Sequence, residues 1–239
     1  MSAPTASRNA SAEELRAIAQ RGAAELGDAD ALTLLRWTAA TFGDDYLVAS
    51  NMQDGVLVHL AKQVQSRPKV LFLDTGYHFP ETIGMRDAVE AVYEVDILNV
   101  TPERTVAEQD SAMGKDLFAR DPGECCNLRK VVPLRATLAG YPAWVTGIRR
   151  VEAPTRAKAP AISFDEGFGL VKINPIVAWS DEQMQDYIDE HGILVNPLVD
   201  EGYPSIGCAP CTAKPAPGSD PRSGRWAGRA KTECGLHTS

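Results

Sequence analysis

The spacing of apolar residues along this chain changes near residue 45. Before that point apolar residues recur at helical intervals, and Ser11 with Glu14 three residues later forms a capping-box signal, so we expect helices over residues 11–26 and 29–41. After it, short apolar runs typical of strands alternate with helical stretches. The predicted strands cover 46–50, 69–75, 95–100, 143–147 and 169–176, and the predicted helices cover 54–65, 80–93, 102–113 and a stretch from Ser180 to near Gly192.

This alternation predicts an α/β fold, namely a parallel twisted sheet built from right-handed β-α-β units and flanked by helices. In such sheets ligands bind beyond the carboxyl ends of the strands. Three polar segments follow predicted strands and fall at that edge: SNMQD at 50–54, DTGYHF at 74–79 and TGIRR at 146–150. We therefore expect these loops to form a ligand site.

The two ends of the chain differ from this body. Residues 1–10 are small and polar without periodicity, which indicates disorder. Residues 11–202 are expected to form one α/β domain. Residues 203–239 are rich in Pro and Gly, show no period and contain three of the five cysteines, so we expect an irregular segment of the same domain.

The overall charge narrows the range of partners. A formal net charge of −8 argues against broad nucleic-acid binding, which requires a basic face, although a few clustered Arg residues can reverse the field locally. No apolar run approaches the roughly 20 residues of a membrane span, and the N-terminus lacks the apolar segment of a secretory signal. We expect a cytoplasmic protein with neither a membrane nor a nucleic acid as partner.

Four of the five cysteines form two close pairs. A reducing cytosol and an odd count disfavour disulfides. Cys208 and Cys211 form a CxxC pair, which can reach one metal centre from a tight turn, whereas Cys125 and Cys126 are adjacent. Neighbours on a helix point about 100° apart. A multi-iron cluster accommodates them more easily than a single tetrahedral zinc ion, and both remain open at this point.

The fifth cysteine, Cys234, stands alone in KTECGLH near the C-terminus. Nearby glycines allow the backbone to bend, so this tail could carry its thiol into a site and out again. A nucleophilic thiol needs its pKa lowered from about 8.5 by positive charge. The nearby candidates are Arg222, Arg225, Lys231 and His237.

Five segments together carry a family resemblance. They are ECCNLRK (124–130), TGIRR with a later TR (146–156), GYPSIGCAPCT (202–212), RSGRW (222–226) and ECGLH (233–237). This combination resembles the assimilatory adenylylsulfate (APS) reductases of the phosphosulfate reductase family, the actinobacterial members in particular. The resemblance extends from about residue 40 to residue 239.

The resemblance implies an adenine-nucleotide α-hydrolase-like fold and a specific chemistry. Cys125, Cys126, Cys208 and Cys211 would ligate one 4Fe–4S cluster per subunit, and residues 203–239 would form the cluster loop and a mobile catalytic tail. Cys234 would attack the sulfur of adenosine 5′-phosphosulfate and release AMP. Thioredoxin would then free sulfite from the S-sulfocysteine, in sulfate assimilation and cysteine biosynthesis. The substrate-binding residues implied are Ser50, Asn51, Leu73, Lys130, Gly147, Arg149, Arg156, Arg222, Arg225 and His237.

Three alternatives are weighed against this interpretation. Reductases of the 3′-phosphorylated nucleotide share ECGLH but generally lack the four paired cysteines. Adenylating enzymes that cleave ATP carry paired glycines where this chain has SNMQD, and ECGLH also argues against them. The third alternative is a binding module stabilised by zinc on the same four cysteines. The oligomeric state is left open.

Overall fold

The computed structural model describes residue 6, residues 8–228, and residues 231, 233, 235 and 236. Its centre is a six-stranded sheet in the order β3-β2-β1-β4-β6-β5. Five strands run parallel, and β5 pairs antiparallel with β6. The strands are β1 Tyr46–Ala49, β2 Lys69–Leu73, β3 Asp96–Val100, β4 Ala143–Val145, β5 Ile162–Asp165 and β6 Leu170–Ile173.

The predicted parallel sheet is confirmed for the five expected strands, and β5 is an addition that makes the sheet mixed. This strand, Ile162–Asp165, was not predicted from the sequence. It forms through a hairpin in which the Asp165 carboxylate accepts hydrogen bonds from the backbone N–H groups of Gly167 and Phe168. Such a side-chain turn returns the chain antiparallel onto β6.

Ten α-helices surround the sheet in the described part of the chain, and six of them were predicted. They are α1 Ala12–Leu26, α2 Ala31–Phe42, α3 Val56–Lys62, α4 Pro80–Tyr93, α5 Val106–Met113, α6 Leu117–Arg120, α7 Pro122–Cys126, α8 Val132–Leu138, α9 Asp181–His191 and α10 Pro197–Asp200. The four short helices α6, α7, α8 and α10 were not predicted. A π-helical turn, Asn127–Val131, joins α7 to α8, and short 3₁₀ turns cover Arg150–Glu152, Pro154–Arg156 and Ala209–Cys211.

The predicted helix starts rest on local hydrogen bonding. The Ser11 hydroxyl accepts from the backbone N–H of Glu14, and the Glu14 carboxylate accepts from that of Ser11. Ser180 and Gln183 make the same reciprocal pair at the start of α9. Each capping box satisfies two backbone donors that a helix end leaves unpaired, so the sequence signal and the structure agree.

Side chains of the central strands alternate between two buried layers. Along β1, Tyr46 and Val48 join the core layer shared with α1 and α2, while Leu47 joins the layer under α8. In β4, Val145 and Trp144 divide between the same two layers. A sheet covered on both faces leaves its strand ends as the route to solvent, which places the loops beyond β1, β2 and β4 at one edge.

Within the part of the chain that the structure describes, no helix combines the length and apolar character needed to cross a membrane. The division into residues 1–10, 11–202 and 203–239 stays a prediction.

Candidate active site

A cleft of about 860 Å³ opens at the carboxyl ends of β1, β2 and β4. It is lined by the loops that the sequence pointed to, together with α9 and the C-terminal segment. Of the ten predicted substrate-binding residues, all nine that the structure describes line it: Ser50, Asn51, Leu73, Lys130, Gly147, Arg149, Arg156, Arg222 and Arg225. Cys234 and His237 lie outside the described residues.

The loop after β1 is held by its own side chains instead of by glycines. The Ser50 hydroxyl accepts from the backbone N–H of Met52 at 3.2 Å, and the Asn51 carbonyl oxygen accepts from that of Gln53 at 3.2 Å. Met52 has a φ of 60°, which is uncommon for a residue with a side chain, and its side chain is fully buried. The backbone is therefore fixed by buried packing at a turn where glycines would be expected.

The charged groups of the cleft are nearly balanced, although the whole chain is acidic. Among the described lining residues the cationic side chains are Lys130, Arg149, Arg150, Arg156, Arg222 and Arg225, and the carboxylates are Asp54, Glu152, Asp181, Asp220 and Glu233. Burial raises the pKa of Asp54 to about 6, against the opposing effects of its hydrogen bond from Val56 and the charge of Arg149. Cations are thus concentrated here relative to the rest of the protein, as an anion site requires.

Two of the arginines share a carboxylate from the C-terminal tail. Glu233 accepts from Nε and Nη2 of Arg156 at 3.0 and 3.1 Å, from Nη2 of Arg222 at 3.4 Å and from the Thr155 hydroxyl at 3.2 Å. Burial raises the pKa of Glu233, but the hydrogen bond and charge of Arg156 and the charge of Arg222 outweigh it, so the net pKa is lowered. The tail is therefore bound to the cleft by an ionised carboxylate.

Four cysteines line a second, small cavity that adjoins the cleft. Cys125 and Cys126 reach it from the end of α7, and Cys208 and Cys211 from the turn around Ala209–Cys211. Burial and the neighbouring three thiols raise the pKa of Cys125 to about 12, and Arg129 opposes this shift. Among the described residues, no three His, Cys, Asp or Glu side chains are grouped so as to hold a single metal ion.

The two cavities share three lining residues, Lys130, Cys208 and Trp226. Lys130 lies in the π-helical turn Asn127–Val131, whose i→i+5 hydrogen bonds replace the α-helical spacing after Cys126. Lys130 lines both cavities, and π-helical turns frequently occur at functional sites.

Sequence reasoning missed several residues that shape the cysteine cavity. The Thr75 hydroxyl lies 3.2 Å from the Cys208 sulfur. Buried Arg129 donates to the Thr75 carbonyl and to the Gln109 side chain. Trp226 is buried, and its indole Nε1 has no hydrogen-bond partner among the described residues. Arg129, Trp226 and Glu233 lie inside the motifs identified from the sequence. The motifs therefore contained these residues, but the sequence did not indicate what each of them contacts.

Comparisons with known proteins agree with this fold and with the family that the motifs resemble. A family model described as the phosphoadenosine phosphosulfate reductase domain matches residues 45–214. An adenosine 5′-phosphosulfate reductase of Mycolicibacterium smegmatis is 75% identical over 95% of this chain and 96% of its own length. One of Rhodococcus erythropolis is 72% identical over 96% of this chain and 97% of its own.

A solved structure extends the comparison to the fold. The phosphoadenylyl-sulfate reductase of Candida auris, in a phosphate complex, matches with a TM-score of 0.70 and 26% identity, covering 87% of this chain and all of that one. The mostly parallel sheet of this chain therefore has the fold class of a phosphosulfate reductase. Within that class, the chain belongs to the phosphoadenosine phosphosulfate reductase family, as the motifs predicted.

Gly224 offers a test of how the C-terminal segment is held. A Cβ at this position would lie 1.9 Å from the backbone oxygen of Ala213, whose N–H donates to the Gly224 carbonyl. Gly224→Ala should therefore separate the two chain segments and destabilise this region by about 2–4 kcal/mol. Hydrogen exchange of the Ala213 and Trp226 amides should accelerate.

Gly84→Ala in α4 is the matched control, because no atom lies within 4 Å of its added methyl group. That variant should leave both exchange rates unchanged, since the substitution favours the helix. If both amides exchanged as slowly in the Gly224→Ala protein as in the wild-type protein, the packing described here would be contradicted.

Proposed function

We propose that this protein is an adenylyl-sulfate reductase, which converts adenosine 5′-phosphosulfate to AMP and sulfite in sulfate assimilation and cysteine biosynthesis. The observation that carries the proposal is the junction of two sites. The cleft lined by the predicted substrate residues meets the four-cysteine cavity at Lys130, Cys208 and Trp226. The names of the M. smegmatis and R. erythropolis relatives support the same activity.

In the proposed reaction the Cys234 thiolate attacks the sulfuryl sulfur. An S–S bond forms, the S–O bond to the phosphate breaks, and AMP leaves with that electron pair. A thioredoxin thiolate then attacks the Cys234 sulfur, and sulfite leaves with the electron pair of the S–S bond that breaks. The second thioredoxin thiol attacks the resulting mixed disulfide, which closes the thioredoxin disulfide and frees the Cys234 thiol. Thioredoxin thus supplies the two electrons, and no further reductant is needed.

Residues of the cleft position the anionic groups for this attack. Arg149, Arg156, Arg222 and Arg225 are suited to grip phosphate and sulfate oxygens, since guanidinium groups bind such anions through paired N–H donors. Lys130 lines both cavities, which supports a role for it between the substrate and the cysteine cavity. Ser50 and Asn51 offer donors from the loop after β1, and Leu73 and Gly147 are assigned to the nucleoside.

We assign the four paired cysteines to one 4Fe–4S cluster. The donor set fits: four thiols converge from two segments on one cavity, and the buried Trp226 N–H and Thr75 hydroxyl lie beside it. Thiolates are the usual ligands of such clusters, and hydrogen bonds to sulfur tune them. The role of the cluster would be electrostatic and structural, in that it would fix Lys130 and the substrate sulfate relative to each other. A zinc ion on the same ligands is distinguished by iron and sulfide analysis.

We also infer the setting of the enzyme. Acidic composition argues against nucleic acid as partner, and the odd number of cysteines disfavours a disulfide framework, which suits the cytoplasm. Thioredoxin is the proposed protein partner.

The choice of nucleotide is the first test. A 3′-phosphate would add nearly two negative charges, while Arg149, Arg156 and Arg222 are already paired with carboxylates. We expect catalytic efficiency with thioredoxin to favour adenosine 5′-phosphosulfate by on the order of 2–4 kcal/mol in transition-state free energy. The Candida auris relative, named for the 3′-phosphorylated nucleotide, motivates the alternative. A ratio near one, or one favouring that nucleotide, would show that both the charge argument and the assignment of the substrate are wrong.

Cys234→Ser tests the nucleophile. Turnover should be abolished because the serine hydroxyl is a far weaker nucleophile than a thiolate, while visible absorbance near ~400 nm from the cluster should persist. Wild-type protein incubated with substrate but without thioredoxin should gain one sulfite-equivalent mass on the peptide that contains Cys234. The same mass on Cys208 or Cys211 would overturn the assignment.

Cys211→Ser tests the cluster ligands. Iron content, absorbance and sulfite release should fall together, and the 203–215 segment should become sensitive to proteolysis because ligand binding and local folding are coupled. Cys126→Ser should behave alike, whereas Cys234→Ser is the matched cysteine control that retains iron. Full iron content in the Cys211→Ser protein would refute this ligand set.

A further inference from the structure

Three contacts hold the C-terminal tail against the cleft on either side of the proposed nucleophile. The Lys231 ammonium lies 5.8 Å from the centre of the Trp226 ring. Glu233 is bound by Arg156, Arg222 and Thr155. Leu236 lines the cleft and packs on the core layer under α8. Of these contacts, Glu233 makes the only one that involves the cleft's arginines.

The guanidinium of Arg156 is engaged on two sides. Nη1 donates to Glu152, which belongs to the 3₁₀ turn Arg150–Glu152, and Nε with Nη2 donates to Glu233 as a bidentate pair. The side chain is 10% exposed, so little of it remains open to a ligand. An anionic ligand can form hydrogen bonds with both Nε and Nη2 of Arg156 only at the position that Glu233 occupies.

The two carboxylates differ in how freely they can leave. Glu152 is tied to the body of the protein, because its carboxylate also accepts from the backbone N–H of Arg149 in the same turn. Glu233 belongs to the irregular tail, where the described residues Lys231 and Leu236 add one cation–ring pair and one apolar contact. A ligand that takes its place must replace the four hydrogen bonds of Glu233 but leaves the turn that holds Glu152 unchanged.

We propose that Glu233 is an internal stand-in for the substrate's anionic oxygens, which docks the tail on Arg156 and Arg222 until a sulfate or phosphate group displaces it. A carboxylate and a sulfate present similarly spaced oxygens to a guanidinium, so the exchange needs no rearrangement of the arginines. The inference rests on the proposed function insofar as the substrate delivers that anion. Glu233 directly precedes Cys234 in the sequence, so the exchange breaks the ion pair next to the proposed nucleophile when substrate arrives.

Ligand affinity tests the competition. In a Cys234→Ser background, which prevents chemistry, the added Glu233→Gln change should tighten binding of adenosine 5′-phosphosulfate roughly tenfold, because the ligand no longer displaces an ionised carboxylate. Thr155→Val, which removes one hydrogen bond to Glu233, should act in the same direction but less strongly. Glu25→Gln on the exposed face of α1 is the charge-matched control and should leave the dissociation constant unchanged.

Tail release gives a second readout. Tryptic cleavage after Lys231 should accelerate when inorganic sulfate is added to the Cys234→Ser protein, but not when chloride is added at equal ionic strength. The Glu233→Gln variant should be cleaved rapidly with or without sulfate. A purely structural Glu233 would speed cleavage on substitution without tightening ligand binding, and that result would overturn the proposal.

Two further outcomes separate this proposal from the assigned activity. Protection of Lys231 by sulfate, or weaker nucleotide binding by the Glu233→Gln variant, would show that the carboxylate cooperates with the ligand and would overturn the exchange. Failure of wild-type protein to release sulfite from adenosine 5′-phosphosulfate would remove the proposed function. In that case sulfate-dependent cleavage would still support the exchange at an anion site.

Discussion

Arginine side chains in the cleft are held in place by carboxylates of the same chain. Arg149 pairs with Asp181 at 2.8 Å, and Arg156 pairs with Glu152 and Glu233. Unpaired guanidinium groups crowded into a partly buried cleft would repel one another and lose hydration. The internal carboxylates remove this cost, orient the donors before a ligand arrives and link three separate segments: the loops after β4, the start of α9 and the tail.

The sequence predicted those features whose causes are local. Capping boxes at Ser11 and Ser180 and the apolar runs of five strands located most of the framework, and parallel topology then placed the following loops at one edge. The sequence did not predict contacts between residues that are far apart in the chain. Glu233 meets Arg156 across 77 positions in the chain, and no spacing rule connects them. Strand β5 was likewise missed, and it forms by antiparallel pairing with β6 after the turn at Asp165.

The cysteine cavity shows a different limit. Pairing of Cys125 with Cys126 and of Cys208 with Cys211 is visible in the sequence and predicts a shared centre, but the backbone that aims them is not. The π-helical turn Asn127–Val131 has no compositional signature, yet it separates α7 from α8 and brings Lys130 to line both cavities. The motifs therefore identified the residues of the site, whereas their relative positions depend on the π-helical turn, which the sequence did not predict.

The edge strand β3 has a consequence for solubility. Asp96–Val100 lies at the end of the sheet, and Leu98 is 37% exposed there. An open strand edge invites pairing with another chain, and charged side chains are one way in which proteins discourage it. Asp96 at the start of the strand binds Arg67, and Asn99 accepts from Arg86. These polar groups disfavour pairing of β3 with a strand of another molecule. If apolar residues replaced them, the exposed edge could pair between folded molecules, and aggregation would not require prior unfolding.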